Sequence, residues 1–234
     1  MGAGPTRATL PVIVASATLT VMAGAILGPV VPGIQDGLGV SESLAGLIIT
    51  THGAFIVLTS PVAGTLIDRY GPRRPYVFGL GVYGLGGGAG LVVDSFYPLL
   101  VSRAVLGVGV AFVYTGVTVL IYDLYAGERM DRALGLRSGA NSAGAAVWPL
   151  VGGALGVVSW QFPFAVYLLA VPLGLVALWA IPETGRGRES GETGAADALA
   201  VLRGKPVLIA VYGLYFGANT LLYAIVVFYP QLLG

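Results

Sequence analysis

Cysteine is absent, and charge is scarce: Lys, Arg, Asp and Glu together make up 10% of the residues. The first absence excludes disulfides and thiolate metal sites and leaves the redox compartment unread. The second sets the chain apart from soluble domains, in which about 25% of residues are charged. There is one histidine, His52, and one lysine, Lys205. No carboxylate cluster, metal-ligand spacing or nucleophile beside a base occurs, so no enzyme, metal or cofactor is expected. The net charge of +1 is dispersed over loops rather than gathered in a basic patch, which argues against nucleic acid as a partner.

Apolar residues are abundant instead, at 56%. Burying them in water would need a core far larger than the length allows, and a bilayer crossing uses ~20 apolar residues. Charge-free runs extend over Ala8–Gln35, Ser43–Ile67, Pro75–Val93, Ala104–Tyr122, Ser138–Pro182 and Pro206–Gly234. The fifth run is too long for one helix and divides at Ser159–Pro163, a turn-prone segment carrying an interfacial Trp160. The sequence therefore predicts an all-α membrane protein with seven spans: Leu10–Val31, Leu44–Ile67, Tyr76–Val93, Leu99–Ile121, Leu134–Val157, Phe164–Ile181 and Val207–Tyr229. Residues 1–182 form one bundle, 183–205 a connector, and 206–234 the seventh span. The first run reads as a retained helix, not a cleaved signal peptide.

The cations are sorted. Arg7 precedes the first span; Arg69, Arg73 and Arg74 follow the second; Arg129, Arg132 and Arg137 surround the loop before the fifth; Arg186, Arg188, Arg203 and Lys205 precede the seventh. All fall on one side, while Asp36, Glu42 and Asp94 occupy the other, so the positive-inside rule puts the amino terminus in the cytoplasm. The twelfth cation, Arg103, lies within the fourth span.

Four segments carry further information. The loop after the second span reads Gly64-Thr65-Leu66-Ile67-Asp68-Arg69-Tyr70-Gly71-Pro72-Arg73-Arg74. Gly64 would permit close helix contact, Gly71 and Pro72 force a reversal, and the arginines anchor at anionic headgroups. In the fourth span, Arg103, Gly107, Ala111, Tyr114, Thr118 and Tyr122 form one polar or small stripe at helical spacing. An arginine there faces protein or a wet cavity, or else snorkels outward. The fifth span holds Gly144, Trp148, Pro149, Gly152 and Gly153, a pattern suited either to bending or to close packing. The seventh aligns Tyr212, Tyr215, Asn219 and Tyr223 on one face, facing a cavity or, for the tyrosines, a membrane interface. His52 could relay protons, but between Thr50 and Thr51 it reads more readily as a packing histidine.

The loop motif strongly resembles the signature loop of the major facilitator superfamily: a glycine, three residues, Asp-Arg, one residue, glycine, then basic residues. Arg103 with Gly107 and Gly109 looks like a second motif of that family. Gly144 to Gly153 is similar to its antiporter-associated motif, with Trp148 where the family has a glycine before Pro149. Trp160 to Phe164 and Pro182-Glu183-Thr184 resemble segments of its drug-efflux branches.

The resemblance implies a six-helix bundle of two inverted three-helix repeats plus the first helix of a second half. It implies transport of a small molecule by alternating access. It implies a cytoplasmic charge cluster of Asp68 and Asp123, with the basic role four residues after Asp68 passing from Pro72 to Arg73 or Arg74. It implies cavity-lining positions at Arg103, Tyr114, Tyr215, Asn219, Ser16 and Thr20. Lipid, a small-molecule substrate and protons are the partners implied, with proton-coupled efflux resting on resemblance alone, since the first span carries no acid. The family continues for five more helices, so a truncated transporter is the expectation; a complete seven-helix receptor or scaffold is the alternative. Gly79 to Gly84 fits a dinucleotide-binding pattern but lies inside a span, where it reads as a packing face.

Overall fold

A computed structural model describes residues 4–183 and, beyond them, the helical positions Val207, Ala210, Leu214 and Gly217. The chain divides into two compact units, Met1–Arg188 and Glu189–Gly234. The connector beyond Glu183, and Tyr212, Tyr215, Asn219 and Tyr223, lie outside the described residues. In the second unit, the four described positions are spaced by three, four and three residues, the period of one helix face.

The first unit is helical throughout, with no strand among the described residues. Its α-helices are α1 (Thr9–Ala25), α2 (Val31–Leu38), α3 (Glu42–Tyr70), α4 (Arg73–Gly88), α5 (Phe96–Leu124), α6 (Glu128–Gly156), α7 (Phe162–Ala165) and α8 (Ala170–Ala180). Short 3-10 turns join α1 to α2, extend α4 and join α7 to α8. They group into six rods, one for each of the first six predicted spans. Four stretches, Thr9–Leu38, Glu42–Tyr70, Phe96–Leu124 and Phe162–Ala180, are long and apolar enough to cross a membrane.

The boundaries move where charge, not helix formation, ended the apolar run. The fifth span was expected from Leu134, yet α6 starts at Glu128. Arg129 and Arg132 are therefore helical rather than loop residues, because a helix continues past the hydrocarbon as long as its backbone bonds are satisfied within the segment. The expected break near Ser159 is present, between the end of α6 at Gly156 and the start of α7 at Phe162. Gly71 (φ 78°) and Gly127 (φ 53°) make the sharp turns before α4 and α6 in a backbone region that other residues resist.

The helix α5 is central, packing on α3, α4 and α1; α1 also packs on α6, and α8 on α4 and α1. Glycines set these crossings. A Cβ at Gly109 would lie 2.4 Å from Tyr83 N, and one at Gly79 2.5 Å from Phe112 Cβ, so α4 and α5 touch through their backbones. Where water supplies no driving force, such close approach is what holds helices together. The outward faces are apolar, with Leu47, Val57, Leu58, Val62, Leu150 and Trp179 all exposed.

The two ends of the bundle differ. At one end, Thr6 Oγ1 donates to Ala180 O (2.9 Å), joining the start of α1 to the end of α8. Arg69, Arg73, Arg74, Arg129 and Arg132 belong to this end. At the other, Gln161 Nε2 donates to Asp94 Oδ1 (3.2 Å), and Trp160 packs over Gly33 and Gly37 of α2. Asp36, Glu42 and Asp94 lie there, so those five arginines and these three acids occupy opposite ends.

Candidate functional site

The cationic end holds the signature loop. Asp68 and Arg69 are exposed in the last turn of α3, and Arg69 lies over the Tyr70 ring (5.4 Å). Arg73 and Arg74 reach Glu183 (3.8 and 3.5 Å), and Arg73 also donates to Leu178 O of α8. These two arginines therefore clamp the start of α4 to the end of the sixth rod through a carboxylate that the sequence motif does not contain. Asp123 is exposed in the last turn of α5. Gly64 meets no neighbour within 4 Å, so the close contact expected of it is not made within the described unit.

Deep in the bundle, Arg103 is 0% exposed. It sits seven residues into α5, roughly 10 Å along the helix. Its Nε donates to Ile48 O of α3 (3.1 Å), its Nη1 to the Tyr167 hydroxyl (3.0 Å) and its Nη2 to Ala23 O of α1. The guanidinium also lies over the Tyr167 ring (5.2 Å), and Tyr167 itself donates to Ala23 O (3.0 Å). One cation thus ties four rods together through neutral oxygens. It neither snorkels to the surface nor lines an open cavity. Gly107, one turn on, lets α5 cross α3: a Cβ there would lie 2.4 Å from His52 O.

Around this hub the polar groups of α4 are spent on α1. Tyr83 donates to Leu19 O, and Tyr76 shares a hydrogen bond with Ser16, which is itself buried against Val12 O. Ser16 therefore faces the interior of the bundle, not a substrate path. His52 packs its ring over Gly24 of α1, and its Nδ1 is buried without a partner among the described residues. Thr50 and Thr51 bond to carbonyls of their own helix.

The glycine-proline segment of α6 forms a seam with α1. A Cβ at Gly152 would lie 1.8 Å from Ile26 O, and one at Gly156 2.0 Å from Val30 Cγ1. Gly144 faces Thr18, Gly153 lies against Pro29, and the helix runs on through Pro149. Trp148 does not fill the glycine's place passively, for its Nε1 donates to Thr18 O across the seam (3.1 Å). Tyr114, by contrast, is half exposed, and the Arg137 guanidinium of α6 stands over its ring at 5.0 Å.

Sequence reasoning missed the roles of Tyr167, Tyr83 and Tyr76, which lie in charge-free runs, and it grouped Arg137 with the cations around the loop before the fifth span. The signal available was weak: a buried tyrosine hydroxyl needs a partner, but a sequence does not name it.

Comparison with known proteins agrees with this architecture. The Major Facilitator Superfamily model matches residues 13–234. Multidrug resistance protein 1 of Bacillus subtilis is 30% identical over 177 residues, covering 73% of this chain and 45% of that protein. Quinolone resistance protein NorA of Staphylococcus aureus is 30% identical over 149 residues, covering 64% and 38%. Peptide transporter POT in complex with sulfate shares the fold with a TM-score of 0.67 at 22% identity, over 95% of this chain and 48% of that one. A D-xylose-proton symporter does so with a TM-score of 0.69 at 15% identity, over 86% and 55%. The chain spans less than half the length of the curated relatives it matches. A cation-sorted bundle of helices, a signature loop on its cationic end and this family match over most of the sequence make the chain a multi-pass membrane protein of the major facilitator superfamily, related to drug exporters and not an enzyme.

Proposed function

We propose that this chain supplies the amino-terminal part of an alternating-access exporter of small molecules. Its seven spans are oriented with the amino terminus and the cationic end in the cytoplasm. The observation that carries efflux over uptake is the α1–α6 seam. The glycine-proline segment resembling the antiporter motif lies where one helix can slide or rock against another, because Gly152 and Gly156 remove the side chains that would lock it. The match to multidrug resistance proteins supports the same direction.

The six rods read as two inverted repeats of three. Exchanging the first three for the last three carries the α1–α6 pair onto α5–α3, and the α4–α5 pair onto α8–α1; each pair is in contact. In this reading Arg73, Arg74 and Glu183 hold the cytoplasmic end of the bundle, while Asp68 and Asp123 form the latch toward a complementary half. Tyr114, Tyr215 and Asn219 line the path, and Arg103 with Gly107 keeps the bundle rigid as it rocks. Protons are the proposed coupling ion.

Vesicles containing the native gene product, loaded with a panel of fluorescent drugs and cations, test this. Outward flux that rises with an imposed pH gradient supports proton-coupled efflux, and flux indifferent to the gradient removes the coupling. No flux of any compound, from a folded protein of 23.9 kDa, would favour the receptor or scaffold.

A further inference from the structure

Arg137 has no counterpart in the motifs above. It lies nine residues inside α6, roughly 13 Å along the helix from Glu128. Only three residues of that distance lie past Leu134, where the fifth span was expected to begin, so the partners of Arg137 rather than its depth say what it faces. The contrast with the other arginines is informative. Arg103 has donors on all three of its nitrogens bonded to protein oxygens, and Arg73 and Arg74 are paired with Glu183. Among the described residues no carboxylate pairs with Arg137; its contact is the ring of Tyr114 at 5.0 Å, and Tyr114 is 50% exposed. One turn further along the same side of α6, the Asn141 carboxamide oxygen is buried and unpaired among the described residues. A cation and a carboxamide acceptor on one side of α6, neither paired among the described residues, mark this wall, between α5 and α6, as polar.

We propose that Arg137 and Tyr114 form a subsite for a carboxylate-bearing aromatic molecule. The guanidinium would take the carboxylate in a charge-assisted, two-pronged hydrogen bond, and the exposed part of the Tyr114 ring would stack on the aromatic body. The contact with Tyr114 is a cation–π contact, 5.0 Å from the guanidinium carbon to the ring centroid, and engages no carboxylate. This rests on the transport reading for its setting, though not for its test. The same chemistry could come from a carboxylate of a complementary half of the transporter, and the two sources are separable.

Equilibrium binding of a fluorescent aromatic acid and of its methyl ester to the purified protein reads the subsite directly. The acid is expected to bind wild type at least tenfold more tightly than the ester. Arg137→Gln should abolish that preference, leaving ester binding within twofold, and Arg137→Lys should restore part of it. Tyr114→Ala should weaken acid and ester alike. Equal affinity of wild type for acid and ester would overturn the proposal. So would an Arg137→Gln protein that keeps the preference, or one that melts at a lower temperature and loses both ligands together, as breaking a pair with a carboxylate of the protein would do. If wild type prefers the acid yet moves no compound across vesicles, the subsite stands and the transport reading fails.

Discussion

Arg103 carries its charge into a region where every partner is a neutral oxygen on a different rod. Hydrogen bonds to a charged group contribute about 1.5–3 kcal/mol each, and a buried donor left unpaired costs about as much. Arg103→Lys keeps the charge but concentrates it on one ammonium that cannot reach Ile48 O, Ala23 O and Tyr167 at once. It should destabilise the bundle by about 2–4 kcal/mol, and Tyr167→Phe by about 1–3 kcal/mol. Thermal unfolding in detergent checks both, and unchanged midpoints would contradict the hub. The exposed clamp behaves differently. Glu183→Gln weakens contacts to Arg73 and Arg74 that are open to solvent, so it should cost less than about 1 kcal/mol. A large drop in the same measurement would mean that the clamp is more enclosed than its exposure indicates.

Between helices, the decisive quantity is how closely backbones approach. Gly152→Ala places a methyl group against Ile26 O just past the end of α1 and should push α6 outward, at an expected cost of about 1–3 kcal/mol or more. Gly64→Ala meets open space and should be neutral or slightly stabilising, since alanine favours the helix by about 1 kcal/mol over glycine. Melting both variants side by side tests the seam; equal losses would remove it. This pair also shows where sequence reading stopped. Long charge-free runs made the rods legible, because the hydrocarbon demands them, and the break at Ser159 was legible from its turn chemistry. The start of α6 was not, because an apolar run measures depth in lipid and says nothing about helix beyond it. Glycines announced close packing without saying which ones make it: Gly152 does, whereas Gly64 meets no neighbour among the described residues. The partners of Arg103 were the least legible, since two of them are backbone carbonyls, which every residue carries.

Across the molecule, the account depends on sorting: the turns bearing Arg69 to Arg74 and Arg129 to Arg132 lie on one side of the membrane, and Asp36 and Asp94 on the other. The family match gives the fold but not this orientation, which comes from the positive-inside rule. The natural absence of cysteine makes the question simple to ask, because any single cysteine introduced is the only thiol present. The most direct measurement is labelling of Arg74→Cys, Arg129→Cys, Asp36→Cys and Asp94→Cys in intact cells with a membrane-impermeant maleimide, before and after permeabilisation. The expected result is that Asp36→Cys and Asp94→Cys react in intact cells, while Arg74→Cys and Arg129→Cys react only once the membrane is opened. Labelling of Arg74→Cys and Arg129→Cys from opposite sides would contradict the account.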